Sequence, residues 1–166
     1  MIKKEDVKSL TKSFRYAWHG LAYCIQNERN MRIHLSAVVL VSFFSYFFGL
    51  EKSEYVILLF CFGFVICAEV FNTSIEALVN LESPSYHHLA RIAKDVAAGA
   101  VFVAAATALA VGIFLFCLQP SRLLDTLYAI FINPFAGALF LILLMLSVLF
   151  IFNGPRLYGS KSSSSN

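Results

Sequence analysis

The chain has 166 residues, of which 59% are hydrophobic and 14% are charged, and its mean hydropathy is +0.74. These values lie far from the averages of soluble proteins, so we expect a lipid bilayer to be the solvent. The net charge of +3 comes without a basic run interleaved with aromatic residues, which argues against nucleic acid as a partner.

The first predicted element is an amphipathic helix over residues 5–31. Apolar residues recur in it at helical spacing, from Val7 through Trp18 to Ile25, with basic and polar side chains between them. Such a helix is suited to lie in the membrane interface, with its basic residues toward anionic headgroups. A soluble helix that packs on another helix is the alternative, but the sequence offers no soluble core for it to join.

Four membrane spans follow, because four apolar stretches reach or approach the roughly 20 residues needed to cross the hydrocarbon core. They cover residues 33–50, 55–81, 96–118 and 127–152. The third has a small-residue surface that lets neighbouring helices approach closely, and Pro134 is expected to kink the fourth. The predicted fold is an all-α multispanning membrane bundle with an N-terminal interfacial helix, three core spans and a fourth C-terminal span.

The distribution of Lys and Arg predicts the topology, since these residues stay on the cytoplasmic side of short loops. With the N-terminus in the cytoplasm, eleven of the 13 lie inside, and only Lys52 and Arg122 lie outside. We therefore expect a multi-pass protein with a cytoplasmic N-terminus. Its parts are a membrane domain over 1–118, an additional C-terminal membrane helix over 119–153 and a flexible cytoplasmic tail over 154–166.

Two carboxylates in the second span need an explanation, because charged groups within spans are costly, rare and usually functional. Glu69 and Glu76 share one helical stripe with Asn72, Thr73 and Asn80. The stripe could instead form interhelical hydrogen bonds in an oligomer, but Asn or Ser would do so at a lower desolvation cost. One carboxylate can bind Mg²⁺ together with phosphate oxygens while the other acts as a base. The deeper Glu69 suits the base and Glu76 suits the metal.

Other polar residues near the cytoplasmic surface allow two readings each. Glu28 is either a third carboxylate of the site or a solvated surface charge. Lys94 and Asp95 resemble a phosphate-facing pair, but they also fit a helix-start Asp beside a snorkelling Lys. His87 and His88 could touch a nucleotide or simply be polar surface. Neither of the common nucleotide-binding loops, G-x-x-x-x-G-K-[ST] or G-x-G-x-x-G, is present. Any ATP must therefore bind to a different type of site.

The run A-E-V-F-N-T-S-I-E-A over residues 68–77 resembles the E-x-x-N-[ST]-x-x-E signature of the small bacterial diacylglycerol kinase and undecaprenol kinase family. The resemblance covers roughly residues 13–118. Further segments match at the family's spacing: Y-A-W-H-G-L at 16–21, N-E at 27–28, Y-H at 86–87 and A-K-D at 93–95.

This resemblance implies a lipid kinase of the bacterial cytoplasmic (inner) membrane, with three core spans per subunit and active sites shared within a homotrimer. Its partners would be ATP, a membrane lipid alcohol and the bilayer, and its cofactor would be Mg²⁺. Carried over by position, Glu69 becomes the general base for the lipid hydroxyl, while Glu28 and Glu76 hold the magnesium that bridges the ATP phosphates. Trp18 and Asn72 support the catalytic carboxylate or the lipid head. The implied ATP contacts are Tyr16, Glu28, Glu76, Tyr86, His87, Lys94 and Asp95.

The choice of lipid depends on two departures from the family pattern. The diacylglycerol kinase branch typically carries a Glu where this chain has His34, and an Asp where it has Asn80. The runs 28–34 and 93–101 also look more like the undecaprenol kinase branch. The resemblance therefore favours phosphorylation of undecaprenol to undecaprenyl phosphate, with a diacylglycerol kinase that makes phosphatidic acid as the alternative.

Two other classes stay open on the residues alone. In a small proton-coupled transporter, Glu69 would exchange protons with a cationic substrate. In a structural membrane protein, Glu69 and Glu76 would only pack against other helices. A transporter has no need of Glu28 or of the Lys94-Asp95 pair beside the stripe, which favours the kinase.

Overall fold

The computed structural model of the protein describes residues 4–82 and 87–154, with side chains from residue 9 onward. Helices make up nearly all of this part of the chain. They are α1 (Lys4–Asn27), α2 (Arg29–Phe48), α3 (Lys52–Glu82), α4 (His88–Gly112), α5 (Pro120–Ile132) and α6 (Pro134–Asn153). A π-helical turn over Ile113–Cys117 extends α4.

Four of the described helices are long and apolar enough to cross a membrane: α2, α3, α4 with its π-helical turn, and α6. Many of their large apolar side chains are exposed, as expected of surfaces that face lipid. The predicted all-α multispanning membrane fold is confirmed. The predicted tail lies outside the described residues except for Gly154, and so does the predicted ATP contact Tyr86.

A break at Glu28 divides the segment 5–31, for which one helix was expected. Glu28 has extended backbone angles, with φ −104° and ψ 118°, and its N–H donates to the carbonyl of Cys24 at 2.8 Å. The side chain of Asn27 donates to the carbonyl of Tyr23 at 2.8 Å. These bonds close the last turn of α1, and α2 starts afresh at Arg29.

The turn between α2 and α3 depends on a glycine. Gly49 has φ 68°, a left-handed conformation that costs glycine little, and its N–H donates to the carbonyl of Ser45 at 3.0 Å. The hydroxyl of Tyr55 donates to the same carbonyl at 3.1 Å. At the start of α3, the N–H of Glu51 donates to Oε2 of Glu54 at 2.7 Å. These bonds satisfy the Ser45 carbonyl at the end of α2 and the N–H of Glu51 just before α3.

The C-terminal segment 119–153 contains two helices rather than the single helix that was expected. Asn133 ends α5 with ψ 110°, and its side-chain oxygen accepts hydrogen bonds from the N–H groups of Phe135 and Ala136. Pro134 occupies the first turn of α6, where its missing N–H is not needed. The apolar span therefore begins at Pro134, because the Asn-Pro pair starts a new helix instead of kinking one.

Side-chain contacts between the helices define the two ends of the bundle. At one end, Arg122 of α5 donates to the carbonyls of Phe48 and Gly49 at the close of α2, and its guanidinium lies 4.5 Å from the Phe48 ring centroid. An apolar cluster around Phe48, Leu50 and Leu58 fills this end. The opposite end, which we call the carboxylate end, holds the α1–α2 junction, the end of α3, the start of α4 and the end of α6.

Candidate active site

Glu69 is the most unusual side chain of the carboxylate end. Its exposed fraction is 0%, and within the described chain neither carboxylate oxygen has a hydrogen-bond partner. It lies about 26 Å along the axis from the start of α3, near the far boundary of a hydrocarbon core of about 30 Å. Burial of a carboxylate without a partner is costly, so an unsatisfied group of this kind indicates a functional role.

The predicted polar stripe lies around Glu69 on α3. Thr73 is buried and its hydroxyl donates to the backbone carbonyl of Glu69 at 3.0 Å, which leaves the carboxylate free. Asn72 is also buried, and its Nδ2 donates to Oε1 of Glu76 at 3.1 Å. The Oδ1 of Asn72 has no partner in the described residues. The amide is thus oriented by Glu76 and keeps an acceptor available for another molecule.

Glu28 joins this stripe from the α1–α2 junction. Burial raises the pKa of the Glu28 carboxyl above its ordinary value, the negative charge of Glu76 raises it further, and Arg32 opposes the shift. Glu69 in turn interacts electrostatically with both Glu28 and Glu76. The structure therefore places the three predicted carboxylates within electrostatic range of one another, and we call Glu28, Glu69 and Glu76 the carboxylate cluster.

The cluster fits a metal that arrives with a phosphate ligand better than a permanent metal centre. Among the described residues, no group of three or more His, Cys, Asp or Glu side chains is placed to hold a metal ion on its own. Mg²⁺ is usually held by one or two carboxylates together with phosphate oxygens. Glu28 and Glu76 offer two hard oxygen ligands, and their mutual repulsion would be relieved by a divalent cation. The residue types therefore fit the predicted metal.

Lys94 lies near the carboxylate cluster, but Asp95 does not form an ion pair with Lys94. Lys94 Nζ donates to Oδ1 of Asn80 at 3.0 Å, which links the start of α4 to the end of α3. Asp95 faces Arg91 instead, with 3.7 Å between its Oδ2 and the Nε of that arginine, and both side chains are well exposed. Exposed pairs of this kind contribute little stability. Lys94 thus bonds to Asn80 rather than to Asp95, and it lies at the carboxylate end.

The aromatic residues expected on α1 lie apart from the cluster in the same chain. Tyr16 and Trp18 are 58% and 70% exposed. Lys12 Nζ and Arg15 Cζ each lie 5.8 Å from the centroid of the Tyr16 ring. Tyr16 is roughly 18 Å along α1 from Glu28, at 1.5 Å per residue. His87 is exposed just before α4, where its carbonyl accepts the N–H of Arg91.

One residue of this end, Arg32, was not expected from the sequence. Arg32 is 9% exposed and its guanidinium contacts three backbone carbonyls. Cys24 is buried on α1 within interaction range of Thr73, and burial raises the pKa of its thiol. The only sequence signal for Arg32 is a strong charge four residues after Glu28, at the edge of an apolar span.

The fold and the cluster define a multi-pass helical membrane protein with buried carboxylates at one end of its bundle. The family model described as prokaryotic diacylglycerol kinase matches residues 15–116. The chain belongs to the prokaryotic diacylglycerol kinase family. This assignment leaves the transporter and structural alternatives without support, and α5 and α6 lie outside the matched segment.

Three relatives illustrate the similarity. A diacylglycerol kinase of Synechocystis is 43% identical over 105 residues, which cover 63% of this chain and 60% of that protein. An undecaprenol kinase of Bacillus subtilis is 33% identical over 68% of this chain and 92% of its own length. A diacylglycerol kinase of Escherichia coli is 30% identical over 57% of this chain and 78% of its own length. No solved structure matches the chain significantly.

Proposed function

We propose that this protein is a lipid kinase that transfers the γ-phosphoryl group of Mg-ATP to the hydroxyl of a membrane lipid. The observation that carries the proposal is the buried, unpartnered carboxylate of Glu69 next to the Glu28 and Glu76 pair. Membership of a family whose relatives are named as lipid kinases supports it.

In the proposed reaction, Glu69 accepts the proton of the lipid hydroxyl. The lipid oxygen then forms a bond to the γ-phosphorus while the bond to the β–γ bridging oxygen breaks, and ADP leaves. Glu28 and Glu76 would hold Mg²⁺, which neutralises charge on the phosphate oxygens when it is bound. Lys94 meets the phosphates as a point charge, and positioning of this kind provides most of the catalysis in phosphoryl transfer.

The free Oδ1 of Asn72 gives that residue a distinct role. An amide oxygen held in place by the bond from Nδ2 to Glu76 can accept a hydrogen bond from the lipid hydroxyl or headgroup. Glu69 itself is closed to solvent, so the lipid head reaches it only when a neighbouring segment moves.

For the lipid acceptor, we propose undecaprenol, which gives undecaprenyl phosphate. His34 lines an apolar cavity of about 430 Å³ together with Val65. The His that replaces the Glu of the diacylglycerol kinase branch therefore lies where it could contact a bound lipid. Asn80, the second departure, accepts a hydrogen bond from Lys94 at a position where an Asp would form an ion pair with that lysine. Diacylglycerol is the second candidate, because the relative from Synechocystis with 43% identity is named a diacylglycerol kinase.

We also propose a homotrimer in the bacterial cytoplasmic (inner) membrane, with the carboxylate end in the cytoplasm. Arg29, Arg32, Arg91 and Lys94 lie at that end, as expected of cytoplasmic loops. Tyr16 and Trp18 are well exposed in the single chain, which leaves both side chains available to a second subunit. The exposed face of α4 around Gly99, rich in alanine, is suited to close helix contact.

The test uses purified protein in mixed micelles with Mg²⁺ and radiolabelled ATP. Undecaprenol and diacylglycerol are offered in parallel and in competition. Preferential labelling of undecaprenol is the expected result. Preferential labelling of diacylglycerol would show that diacylglycerol is the acceptor instead. Labelling of neither lipid by folded protein would contradict the kinase proposal, as would equal labelling by a Glu69→Gln preparation made in the same way.

A further inference from the structure

Arg32, in the first turn of α2, links α1 to α6 through hydrogen bonds to backbone carbonyls of both helices. Its Nη1 donates to the carbonyls of Ile25 and Gln26 in the last turn of α1, at 3.0 Å each. Its Nε donates to the carbonyl of Ile151 near the end of α6, at 3.1 Å. The last carbonyls of a helix have no partner within the helix, so one buried guanidinium satisfies groups on both helices.

The end of α6 is fitted closely around this arginine. Gly154 has φ 50°, and a Cβ built there would lie 3.2 Å from both Cζ and Nη1 of Arg32. The Cζ of Arg29 lies 5.2 Å from the centroid of the Phe152 ring. Two arginines of the α1–α2 junction thus hold the last turn of α6, and a side chain at position 154 would displace one of them.

The other end of the same unit is also held by an arginine. Arg122 at the start of α5 donates to the carbonyls of Phe48 and Gly49 at the end of α2. The α5–α6 unit is therefore fastened to both ends of α2. Because the family match ends at residue 116, this unit is an addition to the family's core.

We propose that α6 supports the active site and that Arg32 is the positioning residue through which it acts, by fixing the turn that carries Glu28. Glu28 comes two residues after Gln26 and its N–H bonds back into the same turn of α1. A shift of the guanidinium therefore shifts the backbone of Glu28. This inference rests on the proposed function, since the metal-binding role of Glu28 belongs to it.

The geometry requires an arginine rather than a positive charge alone. The Nη1 and Nε atoms point in fixed directions that reach α1 and α6 at once, whereas a lysine ammonium is a single point on a flexible stem. Arg32→Lys should therefore fail to restore the junction. Loss of hydrogen bonds to a charged donor costs about 1.5–3 kcal/mol, which corresponds to about a 10- to 100-fold change in an opening equilibrium.

The experiment compares Arg32→Lys and Gly154→Ala with matched changes at the other end, Arg122→Lys and Gly49→Ala. Gly154→Ala alters no charge and keeps Arg32 in the chain. Gly49 also has a positive φ, so Gly49→Ala carries similar backbone strain, but a Cβ there would lie 3.8 Å from Arg122, at ordinary van der Waals distance. Gly49→Ala therefore controls for the backbone strain, and the push on Arg32 is specific to Gly154→Ala. The first readout is hydrogen–deuterium exchange of the backbone amides over residues 25–31 in metal-free protein in micelles. The second readout is steady-state kinetics, in which the change in the KM for Mg-ATP is compared with the changes in kcat and in the KM for the lipid.

Both carboxylate-end variants should speed exchange over residues 25–31 by at least about tenfold and raise the KM for Mg-ATP, while the KM for the lipid stays unchanged. The controls should leave this exchange and this KM as in the wild type. Exchange that is unchanged in Gly154→Ala and Arg32→Lys, or raised equally by the controls, would overturn the inference. Wild-type protein without kinase activity would instead refute the proposed function, and the exchange comparison would still decide the role of Arg32.

Discussion

Asn72 donates a hydrogen bond across one turn of α3 to Glu76, with 3.1 Å between Nδ2 and Oε1. This bond fixes the direction of the carboxylate that we assign to the metal, and it leaves Oδ1 of Asn72 without a partner in the described chain. The amide therefore links the metal side of the site to the side where the lipid hydroxyl would lie.

Asn72→Ala should lower kcat/KM by about 10- to 100-fold, because a hydrogen bond to a charged group is worth about 1.5–3 kcal/mol. The Mg²⁺ concentration for half-maximal activity should rise as well. Ser74→Ala is the matched control, since the Ser74 hydroxyl donates to the carbonyl of Val70 on the exposed side of the same helix. Steady-state kinetics over a magnesium titration checks the prediction, and equal kinetics in the two variants would refute it.

Glu28 gives a prediction about stability against pH. Burial and the charge of Glu76 raise its pKa in the folded protein, so the folded state binds this proton more tightly than the unfolded state does. Ionised Glu28 therefore destabilises the metal-free fold above its folded pKa. Glu28→Gln should raise the Tm at neutral pH, and the difference should disappear as the pH falls through that pKa.

The measurement for Glu28 is a series of thermal melts of metal-free protein in micelles between neutral and acidic pH. Glu51→Gln serves as the control, because Glu51 is exposed at the other end of the bundle. A Tm difference between Glu28→Gln and wild type that is constant over the whole range would contradict the linkage.

Lys94 should matter for ATP rather than for the lipid. Lys94→Gln keeps a donor for Asn80 but removes the charge that we expect to meet phosphate, so the KM for Mg-ATP should rise by about tenfold or more. Arg91→Gln removes the exposed pair with Asp95 and should change this KM little. Kinetics at saturating lipid measures both, and an effect of Arg91→Gln as large as that of Lys94→Gln would contradict the assignment.

Subunit mixing tests the proposal of shared sites. Glu69→Gln and Tyr16→Ala proteins, each expected to have low activity, are unfolded together and refolded in micelles. If the Tyr16 of a site comes from a different subunit than its Glu69, some mixed oligomers contain an intact site, and activity should exceed that of either variant alone. Activity no greater than the average of the two parents would place both residues of a site in one subunit.

The sequence predicted the parts that depend on local periodicity. Glu69, Asn72 and Glu76 repeat at helical spacing, so their common face on α3 could be derived from the residues alone. The spans were predictable for the same reason, since length and apolar composition suffice for a membrane helix.

What depends on contacts between distant residues could not be predicted. Arg32 and Ile151 are 119 positions apart, and nothing in either segment indicates that an arginine of one meets a carbonyl of the other. The residues alone left Glu28 open as a surface charge because its place beside Glu76 requires the break between α1 and α2. Asp95 likewise has two possible basic neighbours, and only the fold shows that it faces Arg91 rather than Lys94.

Single-turnover phosphoryl transfer by Glu69→Gln tests whether Glu69 is the base that accepts the proton of the lipid hydroxyl. The variant is mixed with labelled Mg-ATP and lipid in micelles, and nucleotide binding is measured on the same sample. If Glu69 is the base, the variant should fold and bind nucleotide normally, and transfer should be slowed by about 10²- to 10⁴-fold, the usual contribution of a general base. Transfer at the wild-type rate would show that Glu69 is not the base.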